Sequence, residues 1–234
     1  MILSNNHVLA NSNNYVLGDA ILQPAPYDGG ITSDKVAVLT DVIDIDFEGI
    51  NTLDAAMAEI VITDQKVEYE PYDVQDVVSG GNFFVNFFKP IWKVIVSLFS
   101  KKVEPEPDPL PEPEPDVDHL EVEIFGLGKF IDPRYSKRPM IGDRLIKSGR
   151  TTGITTGEII GLDVSVNIDY GPDGIAYFEN QILADGMSAG GDSGSIVFNR
   201  DTDEMVGLLF AGSDTTTVMN PMNEVVSAFG LDIK

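Results

Sequence analysis

The segment Ser188-Ala-Gly-Gly-Asp-Ser-Gly-Ser195 runs directly into the apolar triplet Ile196-Val197-Phe198. Glycines on both sides of a serine allow a tight turn that leaves the hydroxyl exposed and gathers backbone N–H groups toward one point, the arrangement acyl transfer requires. Ser193 is therefore the candidate nucleophile, and the plain alternative is a Gly-rich turn joining two strands. Working outward, a serine nucleophile needs a base, and the chain holds 2 histidines. His119 lies in Asp116-Val-Asp-His-Leu120, beside an acidic spacer, where a solvated side chain is the default. His7 follows the apolar entry Ile2-Leu3 within Ser4-Asn-Asn-His-Val-Leu-Ala10, a place where a strand would stop and present a side chain at its rim.

An imidazole base needs a carboxylate to hold its tautomer. Asp54, in Asn51-Thr-Leu-Asp-Ala-Ala-Met-Ala-Glu-Ile60, is an acid among apolar and small residues, so burial is expected. The competing reading has Thr52 capping a short helix through the alanines, with Asp54 a first-turn charge. His7, Asp54 and Ser193 follow the chain order His, Asp, Ser. The His–Asp interval matches that of chymotrypsin-type proteases, while the Asp–Ser interval is longer by roughly 50 residues, about the size of a compositionally distinct middle segment.

Six motifs in this order carry a resemblance: Ser-Asn-Asn-His-Val-Leu-Ala (4 to 10), Leu-Asp-Ala-Ala (53 to 56), Lys-Ser-Gly-Arg-Thr-Thr-Gly (147 to 153), Phe-Glu-Asn-Gln (178 to 181), Gly-Gly-Asp-Ser-Gly-Ser (190 to 195) and Val-Gly-Leu-Leu-Phe-Ala-Gly-Ser (206 to 213). Across residues 1 to 62 and 120 to 234 the chain resembles the trypsin/chymotrypsin-like serine peptidases, in a bacterial branch. The resemblance implies an all-β fold of two six-stranded antiparallel Greek-key barrels. It implies a serine endopeptidase with His7 as general base, Asp54 as its orienting carboxylate and Ser193 as nucleophile, the N–H groups of Gly191 and Ser193 facing the oxyanion. Met187 would fall at the base of the primary specificity pocket, and Leu209, Phe210 and Ala211 on the strand that pairs with extended substrate. A methionine at that base argues against a demand for Lys or Arg and for an apolar or small side chain. The resemblance implies a polypeptide substrate, with no cofactor and no metal.

The same resemblance places strands of the first barrel ahead of the histidine strand, so the first barrel is expected to be incomplete and the chain N-terminally truncated. In many relatives Asp192 pairs with a freshly cleaved N-terminus. A start so close to His7 leaves Asp192 in need of another donor, and no zymogen activation is expected. Lys147-Ser-Gly-Arg150 reads as either a strand-joining turn or a site.

Three regions follow from composition. Residues 1–65, the incomplete N-terminal barrel by the resemblance, read as short strands, with apolar runs at Ile21-Leu22, Lys35 to Leu39 and Ile60 to Ile62 cut by Asn11-Ser-Asn-Asn14 and Asp28-Gly-Gly30. Acids at 44, 46 and 48 alternate with Ile45 and Phe47, which suits a strand with one wet face rather than a calcium loop. Residues 120–234 form the C-terminal barrel, with strands read at Leu120 to Ile124, Arg144 to Lys147, Gly157 to Ile160, Val164 to Ile168, Ser195 to Phe198 and Met205 to Phe210. Met222, Val225, Val226 and Phe229 recur at helical spacing, predicting a closing helix over 221–229. The insert, 66–119, combines an amphipathic helix over 83–99 with a Pro/Glu spacer over 103–118, whose alternating prolines favour extended polyproline II. That helix either packs on the body or docks on a membrane surface or a partner protein. The latter underlies the rival reading of an inactive protease-like scaffold.

Charge and composition narrow the remaining classes. With 38 acidic against 15 basic residues and a formal charge of −23, phosphate-contact binding of nucleic acid is excluded. The absence of cysteine excludes disulfides, thiol catalysis and Cys-ligated metals. Residues 1–7 have neither a basic nor an apolar leader region, so no signal peptide is expected within this chain. No apolar run attains the 18 or so residues of a spanning helix.

Overall fold

Short β-branched and apolar runs bounded by Gly, Asn and Asp favour strands joined by tight turns, and strands dominate the computed structural model of the protein. It describes residues 1–61, 94–95, 121–124, 126–131, 134–136 and 138–231. The elements in chain order are β1 (Ile2–Ser4), α1 (Asn6–Leu9), β2 (Ala20–Leu22), β3 (Lys35–Val42), β4 (Ile50–Asn51), β5 (Ala56–Ile60), β6 (Val94–Ile95), β7 (Glu121–Ile124) and β8 (Gly128–Ile131). They continue with β9 (Arg144–Gly149), β10 (Gly153–Asp169), β11 (Ile175–Asp185), β12 (Ile196–Asn199), β13 (Met205–Gly212), β14 (Thr216–Pro221) and α2 (Met222–Ala228).

The C-terminal part is a closed ring. Strands pair in the order β10-β9-β12-β13-β14-β11, and the β10–β11 pairing shuts the circle of six, all antiparallel. Closure leaves no free sheet edge around the circumference, and the inward residues Leu145, Ile159, Ile182, Val197, Val206 and Met219 fill the interior. The sequence reading divided Gly157 to Ile168 into two strands. The structure has one 17-residue strand, β10, with register shifts around Gly161 and Val164 and Asp163 at φ 52°. Gly161-Leu-Asp163 acts as a bulge that bends the strand around a barrel corner, so its first half pairs with β9 and its second with β11.

The N-terminal part is an antiparallel sheet of four strands, β1-β5-β3-β2, packed over Ile2, Ala37, Leu39, Ala56 and Ala58. The helix considered for the Ala55-Ala56 stretch does not form, because β5 pairs on both sides, with β1 and β3. Two features join the halves. β4 adds in parallel to β11, and Leu53 and Ala55 enter a core with Ile196, Phe198, Leu208 and the apolar face of α2. The closing helix spans Met222–Ala228, with Pro221 still in β14.

The insert lies almost wholly outside the described residues, as do the Pro/Glu spacer 103–118 and His119. Of the helix read over 83–99, the described Val94–Ile95 are strand, paired antiparallel with Glu123 and Ile124 in a three-stranded sheet β6-β7-β8. Two adjacent β-branched residues that find an open strand partner favour extended pairing over a helical turn. Among the described residues no helix is long and apolar enough to cross a membrane.

Candidate active site

Directly after β1 the chain enters the one-turn helix α1, which carries His7. The amides flanking it are tied to fixed points. Asn5 Nδ2 donates to the Asp54 carbonyl at 2.8 Å, and Asn6 Nδ2 donates to Asn13 Oδ1 at 2.7 Å and to the Ile43 carbonyl at 2.8 Å. Asn11, Ser12 and Asn13 all have positive φ (47°, 52°, 72°), a conformation that asparagine tolerates better than most residues.

Asp54 lies two residues ahead of β5 and is completely buried. His7 Nδ1 meets its Oδ2 at 2.6 Å, and the His7 backbone N–H donates to Oδ1 at 3.2 Å. A buried carboxylate accepts only, so Nδ1 carries the proton in this pair and Nε2 faces away as the basic nitrogen. The imidazole is 23% exposed, which leaves Nε2 reachable. The Asp54 backbone is held from the second barrel: its N–H donates to Asn220 Oδ1 at 3.0 Å, Asn220 Nδ2 donates to Gln181 Oε1 at 2.8 Å, and Gln181 Nε2 donates to the Thr52 carbonyl at 2.8 Å. Asp54, Asn220 and Gln181 in that relay are buried and hydrogen-bonded, which makes it rigid.

Ser193 sits half-buried at the turn ahead of β12. Its neighbour Gly194 presses on the strand that leads into α1: a Cβ there would lie 2.1 Å from Ser4 Oγ, and its φ is +85°. This contact seats the serine turn against the histidine segment. Ser193 Oγ itself makes no hydrogen bond among the described residues, to His7 or otherwise.

The amides of the turn divide into used and unused. Those of Ala189, Asp192, Gly194 and Ser195 donate respectively to Asp192 Oδ2, Ala189 O, Leu209 O and Asp192 O. The N–H groups of Gly191 and Ser193 have no partner among the described residues. Gly191 reaches this geometry through φ +97°, and a Cβ would stand 2.5 Å from Thr151 Oγ1. Two unpaired donors beside an accessible hydroxyl form a place where negative oxygen can be stabilised.

Asp192, fully buried, finds the donor that the sequence left open. Lys147 Nζ donates to Oδ2 at 3.1 Å, and Thr152 Oγ1 (2.6 Å), Thr151 N (2.7 Å), Thr152 N (3.1 Å) and Ala189 N (3.1 Å) complete its shell. Burial pushes the Asp192 carboxyl up, but the hydrogen bonds from Thr152, Ala189 and Thr151 outweigh it and hold the group below the usual carboxylate range. Lys147 has no exposed surface. Its burial lowers the ammonium from the ordinary lysine range against the opposing pull of Asp192. Lys147 also donates to Thr152 Oγ1 and, at 3.2 Å, to the Gly153 carbonyl.

Of the substrate-contact candidates, Met187, Leu209 and Phe210 are 3%, 2% and 4% exposed, Met187 and Leu209 packed in the barrel interior and Phe210 in a cluster with Ile45 and Phe178, and Ala211 is half-buried. These three offer no open side-chain surface. Beside Met187, Ser188 Oγ and Thr217 Oγ1 lie 2.9 Å apart, and Thr155 Oγ1 donates to the Met187 carbonyl at 2.6 Å. β13 outruns β12, so beyond Leu209 the backbone of Phe210 to Gly212 is flanked by β14 on one side and by no described strand on the other.

Over 111 residues the chain is 32% identical to streptogrisin-A of Streptomyces griseus, a match covering 45% of this chain and 35% of that protein. The matched region thus spans about a third of the relative's length. No family model matches. Among solved structures, the chymotrypsin of Cellulomonas bogoriensis superposes with a TM-score of 0.50 at 17% identity, covering 97% of this chain and 82% of that one. A Nocardiopsis protease (NAPase) gives 0.51 at 14%, covering 97% and 81%. The chain resembles the bacterial chymotrypsin-like serine proteases, and its fold is chymotrypsin-like.

Within this chymotrypsin-like fold, a partner of each of the two buried carboxylates went unread in the sequence. Lys147 shares an inward face with Leu145 by strand alternation, so its burial was legible, but nothing local named Asp192 as its partner. Tyr170, whose hydroxyl donates to Asp54 Oδ2 at 2.9 Å across 116 positions, left no local signal at all.

Proposed function

We propose that the chain is a serine endopeptidase that cleaves peptide bonds through an acyl-enzyme on Ser193. His7 Nε2 takes the hydroxyl proton as Oγ attacks the scissile carbonyl carbon. The oxygen that becomes negative receives the N–H groups of Gly191 and Ser193, and collapse of the intermediate expels the amine with the proton returned from His7. Water, deprotonated by the same imidazole, then attacks the ester and restores Ser193. Asp54 fixes the imidazole and stabilises it while charged. The observation that carries this reading is the pairing of a carboxylate-held imidazole, its second nitrogen free, with two unengaged amides in the serine turn.

The unflanked backbone of Phe210 to Gly212 supports main-chain pairing with an extended polypeptide, which gives affinity with little demand on sequence. Met187 behind Ser188 and Thr217 supports a small or apolar side chain ahead of the cleaved bond rather than a basic one.

A fluorophosphonate probe tests the assignment. Ser193 in the wild-type chain should be labelled and Ser193→Ala should not, with peptidase activity falling roughly 10⁴-fold or more in the variant. A wild-type chain that stays unlabelled, or labelling that survives Ser193→Ala, overturns the proposal.

A further inference from the structure

Asp54 is approached from both halves of the molecule. His7 Nδ1 reaches Oδ2 from the N-terminal side at 2.6 Å, and the Tyr170 hydroxyl donates to the same oxygen at 2.9 Å from the hairpin between β10 and β11. The hairpin is built to hold that ring still. Tyr170 N donates to the Gly174 carbonyl at 2.8 Å, the Gly171 amide is taken by Asp169 Oδ1 at 2.7 Å, and the ring stands edge-on to Phe47, with centroids 5.8 Å apart at 89°. It also stands 6.0 Å from the His7 ring and 6.3 Å from Phe178. Burial, then the charge of Asp54 and the hydrogen bond to it, push the phenol well above its ordinary range, so it remains a donor wherever the protein is folded.

A donor on the carboxylate oxygen that also faces the imidazole has two effects. It pins that oxygen from a different half of the protein, and it draws off part of the charge that would otherwise stabilise the imidazolium. We propose that Tyr170 is a positioning residue for the His7–Asp54 pair, anchoring Asp54 Oδ2 from the second barrel and sharing its charge, so that the basicity of His7 is set across the two halves. The catalytic consequence rests on the proposed triad; the effect on the imidazole does not.

The surrounding ionisable groups are otherwise committed. Asp44 accepts from Tyr15, the Asp46 carboxylate takes the amides of Glu48 and Gly49, and the Glu48 side chain is exposed to solvent. On the hairpin, Asp169 caps Gly171 and Asp173 is exposed, while from α2 Glu224 accepts from Asn180. Among the described residues only His7 and Tyr170 contribute side-chain donors to the Asp54 carboxylate.

The test is an NMR titration of the His7 ring in the full chain, with His119→Gln leaving a single imidazole to observe. Tyr170→Phe should raise the His7 midpoint by about half a pH unit. A 3-fluorotyrosine placed at 170, a more acidic phenol and stronger donor, should lower it, and this variant decides the matter if Tyr170→Phe does not fold. The acid limb of kcat/KM should follow the same directions, with Tyr170→Phe lowering kcat several-fold and leaving KM nearly unchanged. A His7 midpoint that stays in place with fluorotyrosine, or moves in the same direction in both variants, overturns the proposal. If the wild type shows no peptidase activity while the two midpoints move apart, the triad fails and the positioning role stands.

Discussion

Two carboxylates, Asp54 and Asp192, have no exposed surface, yet their charges are balanced in opposite ways. Asp192 is closed in by an ammonium, a hydroxyl and three amides, and its cation Lys147 is itself fully buried. Asp54 receives an imidazole, one amide and a phenol, and the imidazole opens to solvent. A cation sealed from solvent cannot meet a substrate, so Asp192 serves to hold the serine turn in shape. A partner that can be neutral or charged makes Asp54 responsive, because its stabilisation grows when His7 takes a proton. The same residue type at the same burial becomes a strut in one place and an electrostatic device in the other, according to whether its partner titrates and can meet a substrate.

That contrast can be broken most sharply by removing each charge in turn. Asp54→Asn should lower peptidase turnover by roughly 10⁴-fold with the fold preserved, whereas Asp192→Asn strands a buried ammonium and should cost about 3 kcal/mol or more of stability. Steady-state kinetics beside denaturant unfolding measure both, and an Asp192→Asn chain as stable as Asp54→Asn would erase the distinction.

Next in size is the pairing energy itself. Lys147→Met leaves Asp192 buried and charged with its hydrogen bonds but without a cation, and should destabilise by about 3 kcal/mol, while adding Asp192→Asn to it should recover a large part of the loss. Additive losses in the double variant would show that the ammonium and the carboxylate do not depend on each other.

The smallest effect concerns acid. Because the folded state holds Asp192 below its unfolded value near 3.8, the unfolded chain binds the proton more readily. The stability Asp192 contributes is therefore complete above that value and declines as pH falls through the lower folded one. Unfolding midpoints measured across pH 2 to 6, a range of about 4 units around the carboxylate region, should fall more steeply for wild type than for Lys147→Met/Asp192→Asn. Parallel curves would place the acid sensitivity elsewhere.

Much of the fold was readable because its signals are local. Short alternating runs marked the strands, Met222, Val225 and Val226 marked the closing helix, and Gly-Gly-Asp-Ser-Gly marked a turn. The errors arose where one local signal has two tertiary meanings. Gly161-Leu-Asp163 can reverse a chain or bulge a strand, and only the need of β10 to serve both β9 and β11 selects the bulge. Met187 is 3% exposed among the residues of the barrel core, and a lone methionine shows no periodicity by which a sequence tells a pocket base from a core residue.

By itself the sequence determined the strand-rich class, the serine turn and the order of histidine, aspartate and serine along the chain, because glycine placement, alternation and order are properties of neighbouring residues. Only the tertiary structure decided who answers each buried charge: Lys147 for Asp192 across 45 positions, and His7 and Tyr170 for Asp54 across 47 and 116. A buried carboxylate must have donors, but the requirement is met wherever chain closure happens to bring one, and that is settled by how the barrel shuts and the two halves pack.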